Sequence, residues 1–130
     1  MNSVHYIETD VEVMKARIRK AILAKRASQP ASESLRKSYK IKQKLFSLPE
    51  FKESSKVVFY MALPQEVQTK DMVREAIGLG KKIILPRIAP AGDTLMLSEV
   101  KDIEEELKLG SFGILEAKEE FYRPVALTEV

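Results

Sequence analysis

The groups in this sequence best suited to chemistry are cations at helical spacing and two charged side chains set beside prolines. In Lys15-Ala16-Arg17-Ile18-Arg19-Lys20, Lys15 and Arg19 stand four residues apart, so a helix projects both from one side. Arginine can grip phosphate oxygens bidentately, and lysine acts on them as a point charge. Glycine-rich phosphate cradles are absent. The five glycines, at 78, 80, 92, 110 and 113, complete neither GxGxxG nor GxxxxGK[ST]. Anion binding therefore falls to side chains, and the competing reading of the basic segment is a solvated helix face. Glu66 lies in Leu63-Pro64-Gln65-Glu66-Val67-Gln68-Thr69, between an apolar run and a helical pattern. That is where open α/β sheets bind ligands, beyond the carboxyl ends of their strands. A carboxylate there can accept hydrogen bonds from a polar ring, or it can simply face water. Arg87 follows Pro86 at the corresponding end of a second apolar run and would face the same crevice.

Other features favour bland roles. His5 is a lone histidine near the terminus, which supports neither a metal site nor a triad. Glu99 to Glu106 carries five carboxylates, read as a solvated helix face. Basic residues from Lys15 to Lys44 are nearly balanced by acids elsewhere, and Tyr39 and Phe46 make no stacking platform, which disfavours nucleic acid. With no cysteine, disulfides, thiolate zinc sites and cysteine nucleophiles are excluded. No apolar run approaches the roughly 20 residues that cross a bilayer, and no secretory signal precedes the first helix. At 45% hydrophobic and 32% charged residues with a net charge of +3, the 130-residue chain reads as one globular domain, and the lack of cysteine makes the cytosol its expected compartment.

These groups must be positioned by a helical front, residues 1–50, and a strand-helix remainder, residues 55–130. Thr9 and Glu12 match a capping box, and Val11, Met14, Ile18 and Ile22 then recur on one helical face. Lys15 and Arg19 would flank that stripe at the border of core and solvent. Pro30 separates a second helix, capped by Ser32, reaching about Ser47, with Leu35, Tyr39, Ile41 and Leu45 as apolar contacts; Pro49 stops it. Val57 to Leu63 is apolar without alternation, as in a strand covered on both faces. A helix from Thr69 ends at Gly80, and Ile83-Ile84-Leu85 closed by Pro86 is a second strand. Strand, helix and strand within about 30 residues make a βαβ unit with a parallel sheet. Ala89 to Asp93 is a turn, Thr94 to Ser98 a third strand, and Asp102 to Leu109 a short acidic helix. Such a sheet normally continues until its faces and edges are covered, so these elements read as the first part of an α/β domain.

Taken in order, KARIRKAILAKR, LFSLPEFKESSKVVFYMALPQEVQT, GKKIILPRI and GSFGILE resemble the 5-formyltetrahydrofolate cyclo-ligase (methenyltetrahydrofolate synthetase) family. The resemblance runs from Met14 to about Pro124. It implies a three-layer Rossmann-like α/β fold of the NagB/RpiA/CoA-transferase-like kind, with its carboxyl-terminal part missing. It also implies ATP- and magnesium-dependent closure of 5-formyltetrahydrofolate to 5,10-methenyltetrahydrofolate with release of ADP and phosphate. Carried over by position, the nucleotide segment falls on Lys15, Ala16, Arg17, Ile18 and Arg19, and the folate contacts on Met61 and Glu66. Arg87 and Glu116 lie in family-like motifs without an assigned role. The family's later glycine-rich loop with a Tyr-Tyr-Asp type motif, which contributes nucleotide and magnesium contacts, has no counterpart here. The expected partners are small molecules, with no nucleic acid or membrane, and a monomer is favoured. The rival readings are a non-catalytic, anion-binding remnant and another α/β domain for phosphate ligands that shares only the architecture.

Overall fold

A computed structural model describes the backbone of residues 3–130 and the side chains from residue 10 onward. The side chain of His5 lies outside the described residues. The chain runs α1 (Ser3–Ser28), α2 (Ala31–Ser47), α3 (Pro49–Glu53), β1 (Lys56–Val58), α4 (Lys70–Gly78), β2 (Lys82–Ile88) and β3 (Leu95–Val100). It continues through α5 (Ile103–Glu106), β4 (Leu107–Leu109) and β5 (Leu115–Ala117).

α1 begins before the expected capping box and passes through Thr9, which is helical rather than a cap. Between Ser3 and Pro30 nothing breaks it, since neither glycine nor proline intervenes. Its apolar stripe meets no core: every residue from 10 to 28 is exposed, Met14 and Ile18 by 60% and 62%. Lys15 and Arg19 therefore border open surface rather than a core margin. Pro30, not Ser32, stands at the start of α2, and no side chain caps that end. Leu45 and Phe46 pack on the core, whereas Leu35, Tyr39 and Ile41 stay exposed. Pro49 ends α2 and opens α3 from its first turn, where its missing N–H costs nothing.

β1 and β2 pair in parallel, Val57 beside Ile83 and Val58 beside Ile84, with α4 between them in sequence. This is the expected βαβ unit. β1 is shorter than the apolar run, and the Phe59 amide adds one more bond to the Ile84 carbonyl at 3.0 Å. The run is not covered on both faces: Phe59 and Met61 are buried, but Val58 and Tyr60 are 42% and 45% exposed. β2 does not stop at Pro86. It continues to Ile88 along an antiparallel ladder with β3, in which Pro86 faces Leu97 and Arg87 faces Met96. The three-stranded sheet, ordered β1-β2-β3, is thus mixed.

The core gathers on the β2 face that carries Ile83 and Leu85, against Met72, Val73 and Ala76 of α4 and Ile103 and Leu107. Ile83, Leu85 and Val73 are at most 2% exposed, and burying each contributes about 1.5–3 kcal/mol. The expected acidic helix is a single turn, α5, whose Asp102 side chain accepts from the Glu104 amide at 2.9 Å. Glu106 at its end is buried, not solvated, and its Oε1 accepts from Arg123 at 2.6 Å. Leu107 then enters β4, which forms a hairpin with β5. At its tip Phe112 and Gly113 take φ of +59° and +74°.

Candidate functional site

Parallel pairing puts the carboxyl ends of β1 and β2 on one side of the sheet. Carrying the register Val58–Ile84 forward brings residue 61 level with residue 87. The chain beyond β1 is then fixed by side chains. The buried Thr69 hydroxyl donates to the Tyr60 carbonyl at 2.6 Å and accepts from the Ala62 amide at 3.2 Å. The Gln68 amide side chain donates to the carbonyls of Leu63 and Glu66 at 2.9 and 2.8 Å. Ser38 of α2 accepts from the Gln68 backbone amide at 2.9 Å, tying the loop to the helical front. Thr69 precedes α4 as expected, but its hydroxyl serves this loop rather than capping the helix.

Two cavities flank the loop. One, of about 240 Å³, is lined by Tyr60, Met61, Glu66, Arg87, Ile114 and Glu116, together with Pro86, Ile88, Leu95 and Ser111. It brings together Met61, Glu66, Arg87 and Glu116, the four residues singled out beyond the first helix. The other, of about 360 Å³, lies between the α1–α2 joint and the loop, and Arg26, Gln29, Lys37, Gln65 and Glu66 are in its wall. Glu66 borders both. Its Oε1 accepts from the Leu63 amide at 2.7 Å; Oε2 makes no hydrogen bond among the described residues.

Lys15 to Arg19 do not reach this place. Lys15 meets Glu12 at 4.0 Å, on the exposed surface. The cation that arrives is Arg26, whose Nε donates to the Gln65 carbonyl at 3.4 Å. Arg26 lies seven residues beyond Arg19, about 10 Å along the axis and on nearly the same side of the helix. Lys37 of α2 joins it, donating to Gln29 Oε1 at 2.8 Å. Both cations therefore hydrogen-bond neutral oxygens. Burial and the Glu66 charge push the Tyr60 hydroxyl above its ordinary pKa, while Arg26 opposes them.

Arg87 ends the buried row Ile83, Leu85, Arg87 on alternate positions of β2. It is 7% exposed; its Nη2 donates to Glu119 at 2.6 Å, and the Tyr122 ring lies 5.2 Å from its guanidinium carbon. The Glu119 hydrogen bond, outweighing burial, raises the Arg87 pKa, with the Glu116 charge acting in the same sense. The Arg87 bond likewise lowers the Glu119 carboxyl. Glu116 lies over Gly110, where a Cβ would overlap its carboxyl group.

The sequence profile of the 5-formyltetrahydrofolate cyclo-ligase family matches residues 11–130. The chain belongs to the 5-formyltetrahydrofolate cyclo-ligase family. Among solved structures it is similar to 5,10-methenyltetrahydrofolate synthetase of Aquifex aeolicus, with a TM-score of 0.77 and 34% identity over 90% of this chain. The chain spans 57% of that protein's length. No curated protein matches it. Family membership accounts for the α/β architecture and the parallel β1–β2 pair. The residues that sequence reasoning passed over are Arg26, Lys37, Glu119 and Tyr122. Only Arg26 carried a signal, because it continues the row of Lys15 and Arg19 into the basic last turn of α1. Among the described residues, no three histidine, aspartate or glutamate side chains gather to hold a metal ion.

Proposed function

We propose that the protein is an ATP-dependent ligase that closes 5-formyltetrahydrofolate to 5,10-methenyltetrahydrofolate. The observation that carries this reading is the shared wall at Glu66: an apolar cavity with a few convergent polar groups abuts a cavity edged by Arg26 and Lys37. At about 240 Å³ the first lies just below the roughly 300–1,000 Å³ of whole-ligand pockets, which suits a ring system whose tail stays outside. Met61 would pack on the ring, and the Glu66 carboxylate would accept its N–H groups. Arg26 and Lys37 would neutralise the nucleotide phosphates, with Lys15 to Arg19 extending the same cationic row.

In the proposed reaction the γ-phosphoryl group passes from ATP to the formyl oxygen, the bond to the β-phosphate breaks and ADP is released, turning a poor leaving oxygen into phosphate. N10 attacks the formyl carbon, the carbon–oxygen bond breaks, and phosphate leaves as N10 loses its proton. Such chemistry needs alignment and charge neutralisation rather than a nucleophile. The two cavities supply groups of those kinds. The test is to incubate the complete protein with 5-formyltetrahydrofolate, ATP and magnesium and to follow the methenyl chromophore. Its ATP-dependent appearance is expected. Its absence, with the protein folded, would overturn the proposal.

A further inference from the structure

Arg87 is buried and points its charge into a crowded place, yet only one of its three guanidinium nitrogens is satisfied by protein. Nη2 is bound to Glu119, while Nε and Nη1 are shut off from solvent and have no hydrogen-bond partner. They are the buried side-chain polar atoms left without one among the described residues. Buried donors are almost always paired, so such an exception calls for a cause. Structural anchoring does not supply it. The Glu119 side chain is 71% exposed, and an anchor of that kind needs no arginine sunk to 7%. Arg87 also lines the same cavity as Met61, Glu66 and Glu116.

We propose that Arg87 is a ligand-binding residue of this cavity: its guanidinium shifts toward the cavity when the ring portion of the formyl folate enters, and the Nε and Nη1 protons, otherwise closed off by the surrounding protein, then donate to an acceptor oxygen there. This rests on the folate reading above and adds a contact to it. Glu119 offsets the guanidinium charge and competes with the ligand for it. Glu116, held over Gly110 beside the same cavity, lies close enough for its charge to act on Arg87. A planar, permanently charged group suits this task better than lysine, whose single ammonium cannot offer donors at separate positions.

The experiment measures binding of 5-formyltetrahydrofolate to the complete protein by titration calorimetry, with thermal unfolding of each variant as a check on folding. Arg87→Gln is expected to weaken binding at least tenfold, the size expected for losing hydrogen bonds from a charged donor. Glu119→Gln, which breaks the ion pair and leaves the guanidinium in place, is expected to bind as tightly as the wild type or tighter. Wild-type affinity in Arg87→Gln would overturn the inference and leave the folate reading standing. Equal losses in both variants would also overturn it, because the pair would then act as a structural clamp. Should the glutamine variant not fold, Arg87→Lys keeps the charge and loses the Nε donor: weakened binding is expected, and unchanged binding overturns the inference. No saturable binding by the wild type would overturn both the inference and the reading on which it rests.

Discussion

Replacing Thr69 with valine should loosen the segment that carries Met61 and Glu66 while leaving the core shape unchanged. The hydroxyl makes two bonds, to the Tyr60 carbonyl at 2.6 Å and from the Ala62 amide at 3.2 Å, and the residue is 3% exposed. Valine has nearly the same outline but no hydroxyl, so one carbonyl and one amide lose their partner. Each loss costs about 1 kcal/mol where water can partly substitute, which sums to about 2 kcal/mol. For a chain of this size that lowers the melting temperature by roughly 6–10 °C. The effect on ligand should exceed the effect on stability, because the loosened residues line both cavities. Thermal unfolding and folate titration of the valine and serine variants read the two quantities separately. Serine keeps the hydroxyl and should behave nearly as the wild type. A valine variant that melts within about one degree of the wild type and keeps its folate affinity would refute the argument that this hydroxyl positions the loop.

Gly110→Ala should change stability by less than about 1 kcal/mol, since its backbone suits alanine and only the end of a flexible side chain must move. The displaced Glu116 carboxyl should nevertheless alter folate affinity, which the same titration reads. Arg123→Met leaves the buried Glu106 carboxylate without its partner and should cost about 3 kcal/mol in denaturant unfolding, against near neutrality if that pair is incidental. Burial alone would raise the Glu106 carboxyl, but hydrogen bonds from Arg123 and the Lys101 amide outweigh it and hold it below its ordinary value. A depressed carboxylate stabilises above its unfolded pKa and loses that contribution as pH falls through the folded one. Stability should therefore fall with acid below about pH 4, more steeply than in Glu106→Gln; parallel curves would contradict it. Arg26→Ala should weaken ATP binding far more than folate binding, and equal losses would count against a phosphate role.

Much of the architecture was legible because a few residues punctuate it. Pro30, Pro49 and Gly80 end or begin helices for reasons of geometry alone, and Gly80 does so at φ +87°. The apolar runs around Val57 and Ile83 required a parallel pair. Direction beyond that pair was not legible: the pattern from Leu95 to Val100 is compatible with either orientation, and the chain turns back through Gly92 to run antiparallel. The β4–β5 hairpin was missed because Leu107 to Leu109 is too short to separate from the acidic turn before it. The amphipathic pattern of α1 promised a buried face, and periodicity carries no information about what would cover it.

The candidate site divides in the same way. Met61, Glu66, Arg87 and Glu116 stood out from position and resemblance, and one cavity holds all four. Arg26 and Lys37 did not stand out, because a cation on a helix is ordinarily solvated. What sets them apart is the fold of α2 back toward the Gln65 loop, a long-range meeting secured by Ser38 and Gln68. Glu106 was misjudged for a related reason: four nearby carboxylates disguised the one that turns inward to Arg123.

The central claim, that the cavity beside Glu66 receives the folate ring, is tested most directly by a crystal structure of the complete protein with 5-formyltetrahydrofolate. The ring is expected against Met61, hydrogen-bonded to the Glu66 carboxylate and within reach of Arg87. A ring bound elsewhere, with this cavity unaltered, would contradict it.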